Sequence, residues 1–376
     1  MTTTVKIDVT EQNPLKSLRE LCRALLQVDD IKALLVPQHL TSKNMAMPTL
    51  VADPDQLDRV DPLSPAFPMN AAKLVAKLTR KPMGGKLIAV LRPCEIRAYV
   101  ELVKLKQGYP KEVILIGVDC LGAMSNQSYF AYAGEDPLGA THRFYTLYAE
   151  SKETDPKLAA ACKVCDHPVA NSADLQIGIL GLDPRQALLL KALSPEGETL
   201  VQTLGFETVD EPPERPKAIQ TLIRRRVAER DRMFAKTQAA TADLAKLNGY
   251  FAACVNCYNC RVACPVCYCR ECVFVTDVFE HDPFQYLKWA TRKGIIKMPT
   301  DTVFYHLTRA AHMSTACVGC GQCSNACPND ISVMELFRTV AHRTQQAFEY
   351  EAGRNIQEEP PLAVFQEQEY AEVVGI

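Results

Sequence analysis

The sequence predicts an α/β N-terminal domain with a mainly parallel sheet, followed by a mostly helical C-terminal domain. Three observations predict this. Short apolar runs alternate with amphipathic segments through residues 1–210, as in α/β proteins. The run Glu211-Pro212-Pro213-Glu214-Arg215-Pro216 has the composition of a linker. From residue 250 onward cysteines crowd into segments with helical spacing.

The clearest unit opens at Gly84-Gly85 and enters a strand over Lys86 to Leu91. Arg92-Pro93-Cys94 makes a loop, and Glu95 to Gln107 is expected to be a helix whose apolar face is Ile96, Tyr99, Val100 and Val103. Gly108-Tyr109-Pro110 ends it, and Glu112 to Val118 supplies the next strand. Two apolar strands around one helix make a βαβ unit, so these strands should be parallel. A further strand is expected over Ala173 to Leu182. The spacing predicts a linker and long helix over 211–250, with Ile219, Leu222, Ile223, Val227 and Phe234 on one side and Gly249 as its stop. Residues 251–348 form the cysteine-bearing domain, in which Asp301 is a candidate cap for a helix running into the last cysteines. Residues 349–376 are expected to be an extended tail.

Charged residues at 23%, hydrophobic ones at 47% and a formal net charge of −2 are ordinary for a soluble globular protein. They give no electrostatic reason to expect a nucleic-acid partner. The Arg224-Arg225-Arg226 run reads as a solvated helix face. No apolar run approaches the ~18 residues of a membrane span, and the N-terminus lacks the apolar core of a signal peptide. A cytoplasmic location is expected, where thiols stay reduced, so sixteen cysteines point to metal binding and not to disulfides.

Their spacing sharpens this. Cys254-x2-Cys257-x2-Cys260-x3-Cys264-Pro265 and Cys317-x2-Cys320-x2-Cys323-x3-Cys327-Pro328 each match the bacterial ferredoxin pattern. Two-residue gaps aim three thiolates at three corners of a [4Fe–4S] cubane, and in two-cluster proteins the fourth cysteine reaches the other cluster. The expected sets are Cys254, Cys257 and Cys260 with Cys327, and Cys317, Cys320 and Cys323 with Cys264. Gly319 and Gly321 would let the second loop turn closely. Structural zinc, the alternative, typically uses separated CxxC pairs and fits two full four-cysteine runs poorly. The helical stretch between the motifs resembles the helical ferredoxin arrangement of respiratory and heterodisulfide-type complexes, so the C-terminal domain is read as a helical two-[4Fe–4S] ferredoxin domain.

Cys94 and Cys120 each follow a predicted parallel strand, which places both at the carboxyl edge where α/β sheets hold ligands. Cys162-x2-Cys165 precedes another strand-like run. Spacing alone leaves two readings open, a third cluster or buried core thiols. Leu91-Arg92-Pro93-Cys94-Glu95-Ile96-Arg97-Ala98 and Gly117-Val118-Asp119-Cys120 resemble signatures of the coenzyme F(420) hydrogenase/dehydrogenase β-subunit family. So do Cys162-Lys163-Val164-Cys165-Asp166 and the following Ala173-Asp174-Leu175-Gln176-Ile177-Gly178. The run His306-Leu307-Thr308-Arg309-Ala310-Ala311-His312-Met313 looks like formate dehydrogenase β subunits of that family. Together the resemblance spans most of residues 65 to 350.

The resemblance implies an oxidoreductase subunit with FAD and a proximal [4Fe–4S] cluster on Cys94, Cys120, Cys162 and Cys165. It also implies a catalytic partner subunit of formate dehydrogenase or hydrogenase type. A heterodisulfide-reductase-like partner or a soluble carrier (deazaflavin, NAD(P)H or ferredoxin) would take the electrons. Nothing in the chain resembles a molybdopterin or nickel–iron site, so formate or hydrogen chemistry would belong to another chain. Where the family has a Gly-Gly pair opening its flavin-binding helix, this chain has Met69-Asn70-Ala71-Ala72, and it contains no GxGxxG. Asn70, Lys73 and Arg92 are the candidate flavin contacts. A flavin-free iron–sulfur relay is the alternative function, and a zinc-stabilised scaffold a third. Cys22, Cys267, Cys269 and Cys272 are left over, as packing thiols, a substitute ligand or part of a fourth cluster. His306, His312 and His342 lie on helical patterns near the motifs, in structural or tuning roles.

Overall fold

A computed structural model describes residues 3–41, 44–151, 157–269, 271–276, 282–294 and 302–363. Its seven strands are β1 (Thr4–Asp8), β2 (Ile31–His39), β3 (Ala46–Val51), β4 (Lys86–Leu91), β5 (Val113–Val118), β6 (Leu175–Gly178) and β7 (Ala187–Ala192). They form one sheet in the order β1-β7-β6-β5-β4-β2-β3. The central pairs β2·β4, β4·β5 and β5·β6 are parallel, and the three outer pairs are antiparallel. This is the expected mainly parallel sheet, with antiparallel strands closing both edges.

Helices α1 (Pro14–Leu26), α2 (Ala72–Leu78), α3 (Pro93–Lys104), α4 (Asn126–Ala133), α5 (Ala140–Ser151), α6 (Ala160–Lys163) and α7 (Pro195–Leu204) cover the sheet. The pleat sorts its side chains with period two. Ile88 and Val90 of β4 and Ile114, Ile116 and Val118 of β5 enter the core shared with α1. Leu87, Ala89, Leu91 and Leu115 enter the opposite core with Ile96, Tyr99 and Val100 of α3. The predicted apolar face of this helix is therefore the buried one, although the helix ends at Lys104, before Lys106 takes a positive φ of 58°. The strand expected over Ala173 to Leu182 shortens to β6. Asp174 turns its carboxylate to Leu115 N (2.8 Å) and the Ser194 hydroxyl (2.6 Å), and beyond Gly178 the Ile179 and Leu180 amides donate to Asp119.

The chain continues through α8 (Glu214–Ala240), α9 (Leu244–Tyr250), α10 (Asn259–Ala263), α11 (Pro283–Lys293), α12 (Thr302–Met313), α13 (Gln322–Asn325) and α14 (Val333–Ala347). One continuous helix into the 240s is thus replaced by two. Asp243 caps α9 by accepting from Lys246 N at 2.8 Å, an N-cap that starts a new helix instead of prolonging the old one. The expected cap Asp301 lies outside the described residues, as do residues 364–376 of the expected tail.

The helical C-terminal region packs on the α2–α3 face of the sheet. Ala310, Met313, Val333 and Phe337 share a core with α3. Arg97 Nε donates to Ala352 O (2.9 Å), and Glu101 accepts from Gly353 N (2.7 Å) and the Tyr350 hydroxyl (2.6 Å). Gly353 has φ +78° and lies so close to Arg97 that a Cβ would stand 2.4 Å from its Cα, so only glycine fits there. Among the described residues no helix is long and apolar enough to cross a membrane.

Candidate metal centres

Cysteines gather in three places. Cys254, Cys257 and Cys260 line one cavity together with Cys327, beside Tyr305 and His306. Positive φ at Asn256 (51°) and Tyr258 (58°) coils this loop. Cys317, Cys320 and Cys323 form a second group whose thiols are raised by burial and by the neighbouring Cys264 thiol. Gly319 (φ 69°) and Gly321 (φ 80°) supply its turns. The structure thus brings each motif's fourth cysteine to the other motif's first three.

The third place is the carboxyl edge of the sheet. Cys94 opens α3 directly after β4, Cys120 follows β5 by one residue, and Cys162 and Cys165 flank the end of α6. All four line one cavity with Phe67, Arg92 and Arg226. Ala123 N donates to Cys162 Sγ at 3.2 Å. Burial pushes the Cys162 thiol up to about 12, and it raises Cys94 and Cys120 as well. Binding iron as thiolates would therefore release protons from all three. Among the described residues no three His, Cys, Asp or Glu side chains converge closely enough to hold a single metal ion. The cysteines surround cavities instead.

Cys320 lines this third cavity as well as belonging to the second group. Contact is made by Gly321, where a Cβ would stand 2.4 Å from the Ala161 Cβ of α6. Gln322 Nε2 and Asn325 Nδ2 donate to Phe67 O at 2.9 and 3.1 Å, and Asn126 N donates to Asn325 Oδ1 at 2.9 Å. The second ferredoxin loop is therefore bolted to the sheet edge that carries the third set.

The first group has a polar collar to which α12 contributes three side chains. Arg309 donates to Cys260 Sγ (3.0 Å) and Cys260 O (3.1 Å), the Tyr305 hydroxyl lies 3.4 Å from Cys260 Sγ, and His306 Nε2 lies 3.5 Å from Cys254 Sγ. His306 stacks on Phe251 with ring centroids 3.8 Å apart, and burial pushes its pKa down to about 4, so the ring is neutral at pH 7. Tyr305 and Arg309 belong to functional surroundings that cysteine spacing does not reveal. Their signals are the i, i+4 step along one helix and, for Arg309, its place in the His306–Met313 run.

The candidate flavin contacts are held by neighbouring groups of the protein. Asn70 is buried, its Oδ1 accepting from Ala72 N (3.0 Å) and its Nδ2 facing Cys94 O (3.5 Å). Lys73 Nζ reaches Val262 O (3.4 Å), close to Cys264 and Cys267. Arg92 donates to Ser64 O and Ala66 O at 2.6 Å each, above the Phe67 ring. Ala71 N is taken by Glu95 Oε1 at 2.8 Å. Asn70, Arg92 and the Ala71 and Ala72 amides are thus engaged within the protein.

The four remaining cysteines do not meet. Cys22 is buried in the core beneath α1, and burial pushes its thiol up to about 12. Cys267 lies against Cys264 and Lys73, Cys269 is exposed, and Cys272 packs beside Phe274 and Tyr305. His342 packs on Phe234 (4.9 Å) and His312 is exposed.

Residues 312–331 match the 4Fe-4S binding domain family. The chain is 25% identical over 333 residues to the F420-dependent formate dehydrogenase subunit beta of Methanocaldococcus jannaschii, covering 82% of this chain and 83% of that one. It is 23% identical to the F420-dependent formate dehydrogenase 1 subunit beta of Methanococcus maripaludis, over 74% of this chain and 76% of that one. A chain of the F420-reducing [NiFe] hydrogenase complex from Methanosarcina barkeri aligns with a TM-score of 0.46 and 17% identity, over 65% of this chain and 94% of that chain. Across about four-fifths of its length, then, this chain is similar to the β subunits of F420-dependent formate dehydrogenases, which are oxidoreductase subunits, as the residues around Cys94, Cys120 and Cys162 and the His306–Met313 run imply.

Proposed function

We propose that this chain is the electron-carrying subunit of an oxidoreductase complex and relays electrons along three cysteine-built centres. The ligand sets are Cys254, Cys257, Cys260 and Cys327 at the outer centre, Cys264, Cys317, Cys320 and Cys323 at the middle one, and Cys94, Cys120, Cys162 and Cys165 at the proximal one. A bound [4Fe–4S] cluster supplies one-electron exchange. The residues fit such clusters in donor type, in number and in the hydrogen-bond donors aimed at their sulfurs. The observation that carries the reading is Cys320, which belongs to the middle set and also lines the proximal cavity. The protein's part is to hold the three sets in a row and exclude water between them. The catalytic partner, of formate dehydrogenase or hydrogenase type, supplies the substrate chemistry.

The exit of the relay is supported by charge. Lys163, Arg225, Arg226, Arg232 and Lys236 line a groove of about 530 Å³ beside α6 and α8, together with two acids, Glu229 and Glu335. Its wall α6 carries Cys162, and Arg226 donates from inside to Leu121 O (2.6 Å). An anionic, phosphate-bearing carrier suits this groove in size and sign. FAD, which the family resemblance implies, has no cradle at α2, and that closed helix start favours a relay without flavin as the second reading. Anaerobic purification of the native complex with iron, sulfide and flavin analysis tests both. Near-full iron without flavin leaves the relay and removes FAD, while stoichiometric flavin removes the flavin-free reading. A colourless, zinc-loaded protein contradicts both.

A further inference from the structure

Arg309 is a buried cation that no carboxylate among the described residues meets. Its residue is 4% exposed, and it holds Cys260 through both terminal nitrogens. Aromatic faces close the pocket around it, with the guanidinium carbon 4.7 Å from the Phe337 ring centroid and 5.5 Å from that of Tyr305. Nε has no hydrogen-bond partner. Among the described residues the groups whose negative charge would favour it are Cys260, Tyr305, Cys264 and Cys323, of which the three cysteines belong to the outer and the middle sets.

A guanidinium keeps its proton at any pH the fold meets. Burying it unpaired is strongly unfavourable, so this pocket is built for a negative charge that the apo side chains do not provide. Two thiolate-bound clusters provide it. Adding an electron beside a fixed cation is favoured, and a hydrogen bond to a ligand sulfur acts in the same direction. The step moves one electron and no proton, because Arg309 is protonated before and after.

We propose that Arg309 is a positioning residue that raises the reduction potential of the outer centre through Cys260, and to a smaller extent that of the middle centre, and so sets the order in which electrons occupy them. This inference rests on the cluster reading given above. The test is an EPR-monitored anaerobic redox titration of the native complex carrying Arg309→Met or Arg309→Lys, with iron content measured on each. In R309M the reduced-to-oxidised ratio of the outer centre at fixed solution potential should fall about tenfold, equal to about 59 mV for one electron. The middle centre should shift less in the same direction, and the proximal one should stay. R309K keeps the charge but loses the fork on Cys260, so its outer ratio should fall only about threefold.

A loaded R309M with unchanged ratios overturns the proposal, as do equal shifts in the two variants, which would mean packing alone. If R309M does not assemble the outer centre, R309K decides by the same ratio, and no movement there overturns it. Absence of cluster signals from the unmodified complex would defeat the cluster reading itself, whereas signals indifferent to residue 309 defeat only this inference.

Discussion

Asp119 stands one residue before Cys120 and ties three elements together. Its buried carboxylate accepts from Gln176 Nε2 (2.8 Å), from the Ile179 and Leu180 amides (3.0 and 3.1 Å), and from both terminal nitrogens of Arg215 at the start of α8. Arg215 is as buried as its partner, so removing one ion strands the other. Asp119→Ala should therefore cost about 3–5 kcal/mol, read from the anaerobic urea midpoint. A loss below about 1 kcal/mol would mean that Arg215 finds water instead. At this scale the ligand candidates were legible, because cluster geometry imposes a spacing on the chain. Asp119 and Arg309 stood inside family-like segments, but their roles were not legible, nor was that of Arg226, since each acts on a partner distant in sequence and has no spacing of its own. Asn70, Lys73 and Arg92 were picked from a family-like segment, and their side chains reach carbonyls and an amide of the protein, as far along the chain as Val262 O.

Between elements, the tightest junction is Gly321 against Ala161. A methyl group on Gly321 would meet the Ala161 Cβ at 2.4 Å and would also strain a φ of +80°. Gly321→Ala should destabilise by about 1–3 kcal/mol through overpacking. It should also slow reduction of the proximal centre while leaving the outer one unchanged in stopped-flow traces. Adding Ala161→Gly should recover part of the loss, giving a coupling of about 0.5–3 kcal/mol. Strict additivity would show that the two loops do not bear on each other. The strands β4 and β5 and the face of α3 were readable because burial on both sides of a sheet writes a period into the sequence. The break between α8 and α9 was not, because the apolar spacing runs on past Ala240 and only Asp243, acting as a cap, interrupts it.

Across the whole molecule, the helical region and the sheet share one face, and residues 350–353 fasten it. Tyr350 donates to Glu101 and accepts from Lys104 Nζ (2.8 Å), both on α3 and both buried. Ending the chain after Glu349 would leave this buried pair without its hydroxyl and without the Gly353 amide. The truncated protein should lose about 2–4 kcal/mol in urea denaturation, from the hydrogen bonds lost at Glu101, Lys104 and Arg97. A midpoint equal to that of the full chain would show the segment to be dispensable. Composition suggested an extended tail here, because Glu, Gln and Pro carry no apolar period, yet Tyr350, Ala352 and Gly353 are contact residues.

Whether three centres share this chain is tested by iron and acid-labile sulfide per chain in the anaerobic native complex, with and without Cys94→Ala/Cys120→Ala. The unmodified protein should hold about twelve iron atoms, falling to about eight in the double variant with the outer and middle EPR signals retained. About eight in both would contradict it, leaving Cys94, Cys120, Cys162 and Cys165 as ordinary buried thiols.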